Sequence, residues 1–122
     1  MTKTEKAVSF RSMDQGTDAD YQFLNELEKT HIEKLPEKIL LALEKLDDGL
    51  EGYQVTRLQH SLQAASRAED SGADIELIVA ALIHDLGDEL APQNHSQFAA
   101  AIIRPYVRAK VTWIVEMHGV FQ

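Results

Sequence analysis

The chain has no cysteine. That removes disulfide frameworks, thiolate-held zinc and iron–sulfur clusters together, so any metal must be held by nitrogen and oxygen donors. A long apolar run is also missing. The longest, around Ile75 to Ile83, is interrupted by Glu76 and falls well short of the ~20 residues a membrane span needs. Nor is there a cluster of Lys and Arg. Twelve basic residues against 20 acidic ones leave a formal charge of −8 and a pI near 5.0. This argues against a nucleic-acid face, because phosphate binding needs grouped cations that displace counterions. Acidic balance reports solubility more than a partner, and it still leaves room for a small anionic substrate in a pocket that carries metal charge. The segment Met1-Thr2-Lys3-Thr4-Glu5-Lys6 lacks the apolar stretch of a secretory signal, so the cytoplasm is the expected compartment. Alternation of period two, internal repeats and low-complexity segments are absent as well, which disfavours sheets and solenoids.

What is present is helical. At 122 residues the chain can form one compact domain with a real core and, at most, one site. Residues 1–16 read as a flexible polar arm whose Phe10 and Met13 can dock on the body, and residues 17–122 as the helical domain. Thr17 or Asp18 caps a first helix carrying Tyr21, Leu24 and Leu27. Pro36 suits the first turn of a second, whose stripe is Ile39, Leu40, Leu43 and Leu46, and Asp47-Asp48-Gly49 stops it. The spacing of Val55, Leu58, Leu62, Ala65 and Ala68 predicts a third helix over about Tyr53 to Glu69, ended by Ser71-Gly72. A fourth follows the candidate cap Asp74, is apolar nearly all round and so should be buried on most sides, and closes at Gly87. A loop over 88–94 leads to a short helix from His95 to Ile103, Pro105 breaks it, and a last helix carries Val107, Val111, Ile114, Val115 and His118. The fold class is therefore all-α, a bundle of about six helices.

Four of the five histidines, His60, His84, His95 and His118, fall within or beside these helices. A single histidine on an apolar face is usually a satisfied core residue. Several buried together without a common partner would each lose solvation and would repel one another when protonated. A metal removes both problems, and bundles build metal centres from helices that each contribute a ligand. The most specific element is His84-Asp85, at the end of the buried helix. Neighbours on a helix project ~100° apart, but at a final turn where Gly87 releases the backbone both side chains can reach one ion, while the second carboxylate oxygen reaches another.

The stretch Leu58-Gln59-His60-Ser61-Leu62-Gln63-Ala64-Ala65, then Gly72-Ala73-Asp74, then Ala80-Ala81-Leu82-Ile83-His84-Asp85-Leu86-Gly87, resembles the HD-domain superfamily. Within it, these residues look most like the mixed-valent diiron oxygenases, which include organophosphonate-cleaving enzymes and, more distantly, myo-inositol oxygenase. The resemblance runs from about Gly52 to the end. It implies an HD-type bundle in which His60 and His84 hold one iron, His95 and His118 hold the other, and Asp85 bridges an Fe(II)/Fe(III) pair. Asp85 and His84 would then be the catalytic centre, oxidising a C–H bond of a small polar substrate, a phosphonate or a polyol, with O2. Two alternatives stay open. One is an HD phosphohydrolase, using Mn, Co, Mg or Zn to activate water; the other is a metal-binding fragment without catalysis.

Two departures bear on these expectations. The family completes its ligand set with an Asp on a later helix, whereas this sequence stops at Gln122, so one iron would lack a protein ligand and activity would suffer; either C-terminal helices are missing, the favoured reading, or a partner chain or solvent completes the site. The apolar Val120 and Phe121 then offer a face for self-association. Tyr53 stands where the phosphonate-cleaving enzymes carry a Glu near the substrate. Among softer candidates, Asp88 and Glu89 either accept hydrogen bonds from ligand N–H groups or lie in a solvated loop, the loop being favoured. For Arg57 and Arg104 a surface role is favoured over contact with an anionic substrate. His31 should be exposed, and Trp113 and Phe98 should be core.

Overall fold

A computed structural model describes residues 7–48 and 52–120. They contain six α-helices and no strand, as the periodicity requires. By contacts the chain divides into two compact units, Met1–Ile39 and Leu40–Gln122.

The first unit is built on α1 (Asp18–Glu33). Its start is held by a reciprocal cap: the Asp20 backbone N–H donates to Thr17 Oγ1 at 3.1 Å, and the Thr17 N–H donates to Asp20 Oδ2 at 3.0 Å. That arrangement satisfies two of the N–H groups that a helix start leaves without partners. The preceding segment folds back on the helix. Tyr21 donates its hydroxyl proton to the Met13 carbonyl, and the Phe10 ring lies 5.8 Å from the Tyr21 ring. No residue of α1 is fully buried, and His31 is exposed beside Lys38. α2 (Leu35–Lys45) begins here, with Pro36 in its first turn where a missing N–H costs nothing.

The second unit carries the core. The end of α2 and a 3-10 turn over Leu46–Asp48 bury Leu43 and Leu46, but Leu40, expected on the same stripe, is 57% exposed. α3 (Arg57–Asp70) starts at a Thr56/Gln59 capping box, four residues later than the apolar spacing suggested, and packs on α4 (Ile75–Ile83). Leu58, Ala65 and Ala68 of the expected stripe are half-buried, but Leu62 is half exposed and the fully buried residue of the helix is Ser61, with Arg57, His60 and Ala64 half-buried beside it. α4 is less enclosed than its composition implies: Ala80 and Ile83 are buried, while Ile75 and Val79 are exposed.

α5 (His95–Ile103) and α6 (Ala109–Met117) form the second packed pair. Ala99, Ala100, Ile103, Val111 and Val115 are all buried between these helices and their surroundings. Small Ala side chains let helix axes approach closely, and each fully buried Val or Ile contributes roughly 1.5–3 kcal/mol. Phe98 is half-buried as expected of a core neighbour, whereas Trp113 is 54% exposed. The two pairs are tied at their starts. Asp74 caps α4 by accepting from the Leu77 N–H, and the Arg108 guanidinium reaches Asp74 at 2.8 Å and Glu76 at 3.1 Å from the beginning of α6. Among the described residues no helix is long and apolar enough to cross a membrane.

Candidate metal centre

Asp85 is completely buried, and the other four side chains are arranged around it. The chain leaves α4 just before it. His84 caps the helix in helical geometry, but Asp85 has φ −104° and ψ 12° and opens a 3-10 turn over Leu86–Asp88. That change of backbone course lets two consecutive residues face one point. Gly87 contributes differently from the expectation: it has no left-handed φ and releases nothing. Instead its bare Cα lies against α5, where an added Cβ would come within 2.8 Å of Phe98. A side chain there would push the turn away from the helix that carries His95.

The histidines divide by carboxylate oxygen. His60 Nε2 and His84 Nε2 both lie 3.3 Å from Asp85 Oδ2. On the other side His95 Nε2 is 3.3 Å and His118 Nε2 3.5 Å from Oδ1. Their rings form a continuous series with centroids 5.0–5.2 Å apart, all edge-on. His118 sits at the end of α6, opening the 3-10 turn His118–Val120. A Cβ on the adjacent Gly119 would lie 2.8 Å from the Ser96 hydroxyl, so this turn and the start of α5 also meet at close range.

Tautomers follow from the backbone. A carbonyl can only accept, so His84 Nδ1–H donates to Ala81 O at 2.6 Å and His118 Nδ1–H to Val115 O at 2.6 Å. That leaves Nε2 of each ring as its lone-pair atom, turned toward Asp85, with His60 Nε2 also 3.2 Å from His84 Nε2. A carboxylate faced by imidazole lone pairs is repulsive unless a proton or cation lies between them. Among the described residues, Asp85 Oδ1 and His118 Nε2 are indeed buried without a hydrogen-bond partner. Five donors, all of types that divalent metals accept, fall into two groups of three that share Asp85. Within each group the donor atoms lie within 4.8 Å of one another. The donor set therefore fits a metal centre better than a set of satisfied core histidines.

The electrostatics favour an ionised carboxylate. Burial works against the charge on Asp85, but the hydrogen bond and charge of His84, with Arg57 and His60, outweigh it and hold the carboxyl well below its usual range. Burial also works against a charged His84, and there the hydrogen bond and charge of Asp85 prevail and raise the imidazole above 6.5. For His60 burial wins, helped by the charges of His84 and Arg57 against the opposing pull of Asp85, and its value is lowered.

The model of the HD domain family matches residues 57–121, more than half of the chain. The chain belongs to the HD-domain family. Among curated relatives, this HD protein is similar to the hydroxymethylphosphonate dioxygenase of Gimesia maris, at 53% identity over 45 residues covering 34% of this chain and 22% of that protein. It is also similar to the 1-hydroxy-2-(trimethylamino)ethylphosphonate dioxygenase (glycine-betaine-forming) of Leisingera caerulea, at 30% identity over 83 residues covering 59% of this chain and 42% of that protein. The chain thus spans less than half the length of either relative.

One residue of this HD site escaped the sequence reading. Arg57, taken for a surface residue, is only 15% exposed and donates from Nη2 to Asp85 Oδ2. Its Nε lies 3.4 Å from Asp88 Oδ2, and its guanidinium stacks 5.2 Å from the Tyr53 ring. Asp88 is consequently an anchor for Arg57 and neither a partner for a ligand N–H nor a solvated residue, while Glu89 is exposed. The signal was a position three residues before His60 on a helix beginning at Thr56, which puts both on one face. Arg104 stays at the surface near Glu116. Beside the cluster an apolar cleft of about 350 Å³ is walled by Leu77, Ala80, Ile114 and Val115 and reaches His84 and His118.

Proposed function

We propose that this protein is a dinuclear iron oxygenase of the HD family that oxidises a small phosphonate-class substrate. The observation that carries the reading is the sharing of one buried carboxylate by two pairs of histidine nitrogens, Oδ2 with His60 and His84 and Oδ1 with His95 and His118. Similarity to two phosphonate dioxygenases supports both the reaction class and the substrate class.

When bound, two iron ions would supply O2 activation and an electrostatic hold on an anionic substrate. The chain's own residues do the rest. Asp85 would be shared between the two ions, and its depressed pKa keeps it ionised without their help. His84 and His118 are fixed in tautomer and direction by Ala81 O and Val115 O, so their Nε2 lone pairs need no reorientation to ligate. The apolar cleft beside those two rings limits water next to the reacting centre. Tyr53, at the place of a substrate-proximal Glu in phosphonate-cleaving enzymes, is 61% exposed and stacked with Arg57. Neither relative's substrate is therefore carried over unchanged to this chain.

The test loads the full chain with Fe(II) under anaerobic conditions and measures iron per chain, the EPR signal of a partly oxidised pair, and O2 uptake on adding hydroxymethylphosphonate or related phosphonates. Two irons, a mixed-valent signal and substrate-dependent uptake are expected. Phosphate release from phosphate esters with Mn(II) or Co(II), independent of O2, would replace the oxygenase by a phosphohydrolase.

A further inference from the structure

The two halves of the cluster are not equivalent, because a third cation competes for one of them. Arg57 donates to Oδ2 of Asp85, the same oxygen that His60 and His84 approach to 3.3 Å. The opposite oxygen, Oδ1, faces only His95 and His118 and accepts no hydrogen bond. A metal ion in the His95/His118 half finds a carboxylate lone pair already free. An ion in the His60/His84 half must take Oδ2 from a guanidinium, or share it with a like charge a few ångströms away.

We infer that Arg57 sets an order of metal loading: the His95/His118/Asp85 half binds first and more tightly, and the His60/His84/Asp85 half binds second, on displacement of Arg57 from Oδ2. The inference rests on the dinuclear reading above. Displacement is feasible because Arg57 has somewhere to go. Its Nε already lies 3.4 Å from Asp88 Oδ2, and its guanidinium stacks on Tyr53. A small rotation exchanges a pair with Asp85 for a fuller pair with Asp88, so the arginine need not be expelled into water or left buried without a partner. Hydrogen bonds between charged groups are worth enough to weaken the second ion by about ten- to a hundredfold relative to the first.

The experiment uses the full chain, stripped with a chelator and titrated with Mn(II), free metal being read by EPR and bound metal by elemental analysis. Wild type should show two classes of site separated by about ten- to a hundredfold. Arg57→Gln should keep the tight class and strengthen the weak one by roughly tenfold, narrowing the gap. Arg57→Lys, which keeps the charge but not the planar fork, should fall between them. His60→Ala should delete the weak class alone, and His118→Ala should weaken the tight one. Circular dichroism confirms that each variant is helical, and the Lys variant carries the comparison if Gln does not fold. Two sites of equal affinity in wild type, an unchanged gap in both Arg57 variants, or loss of the tight class in His60→Ala would overturn the loading order and leave the dinuclear reading intact. No Mn(II) bound by wild type or Arg57→Gln would overturn both.

Discussion

The pair α3–α4 and the pair α5–α6 each bring two histidines to Asp85, and they do so by different means. In the first pair the inward face of α3 is polar at one end. Arg57, His60 and Ser61 occupy positions where a core helix would place Leu or Val; Arg57 is held by charge, between Asp85 and Asp88. In the second pair the packing is apolar, through Ala99, Ala100, Ile103, Val111 and Val115. Its histidines come from helix ends, His95 opening α5 and His118 closing α6. Close approach at Gly87 and Gly119 aligns them. One half thus has an ion pair at its centre, while the other is packed through apolar side chains. Asp85 is the group common to both.

The comparison breaks altogether if that common group is removed. Asp85→Ala should reduce bound metal to background in both halves, because each loses its only carboxylate; elemental analysis after anaerobic loading checks this. A variant that keeps one ion would show that one pair of histidines suffices by itself. A smaller, graded loss should follow acidification. His84 is raised above 6.5, chiefly by its hydrogen bond to Asp85 against the opposing effect of burial, so the proton begins to compete for its Nε2 at a pH above that value. Affinity at the His60/His84 half should fall by about tenfold per pH unit once His84 is protonated. His60, whose value is lowered, joins only at more acid pH. Mn(II) titrations between pH 8 and pH 5.5 measure the slope, and a flat profile would remove His84 from the ligand set.

Packing variants sharpen the contrast at lower energy. Gly87→Ala puts a methyl group within 2.8 Å of Phe98, and overpacking of this kind costs about 1–3 kcal/mol. The damage should concentrate in the α5 half, seen as a lower denaturation midpoint and a weaker tight metal class. Thr56→Ala acts on the other half. It removes the acceptor for the Gln59 N–H at 3.1 Å, should cost about 1 kcal/mol, and frays the turn that presents Arg57 and His60. Urea denaturation with and without bound Mn(II) separates the two, since Thr56→Ala should leave the tight class unchanged.

Much of this was legible in the residues alone, and the failures have a common cause. The bounds of α5 followed from Pro105 and the apolar run, and the gathering of His60, His84, His95 and His118 around Asp85 was expected from histidines on separate helices together with the resemblance to HD domains. Those are local signals, or sums of local signals. Arg57 was missed because its partner lies 28 residues away, and nothing nearby in sequence shows an arginine turned inward. In α3 the apolar spacing picked out Leu58, Ala65 and Ala68, which are half-buried, together with Leu62, which is half exposed, and it gave no sign that the fully buried position is Ser61. Gly87 was recognised as special but for the wrong reason, since a glycine admitted for close approach and one admitted for backbone freedom look alike in a sequence. Trp113 was placed in the core by its neighbours and is 54% exposed.

The smallest effect is expected at the tie between the halves. Arg108, at the start of α6, reaches Asp74 and Glu76 at the start of α4, and all three are a third to a half exposed. Solvent and salt screen such pairs, so Arg108→Ala should cost less stability than either packing variant, and less again at high ionic strength. Its pH dependence identifies the cause. The hydrogen bond from Arg108, with that from the Leu77 N–H, lowers the Asp74 pKa from 3.8. A depressed carboxyl contributes stability that is present above its unfolded value and is lost as pH falls through its folded value. The gap between wild type and Arg108→Ala should therefore be steady near neutrality and close as pH drops below 3.8. A gap that persists in acid would mean that the Arg108 side chain joins the halves through packing of its aliphatic stem, with charge contributing little.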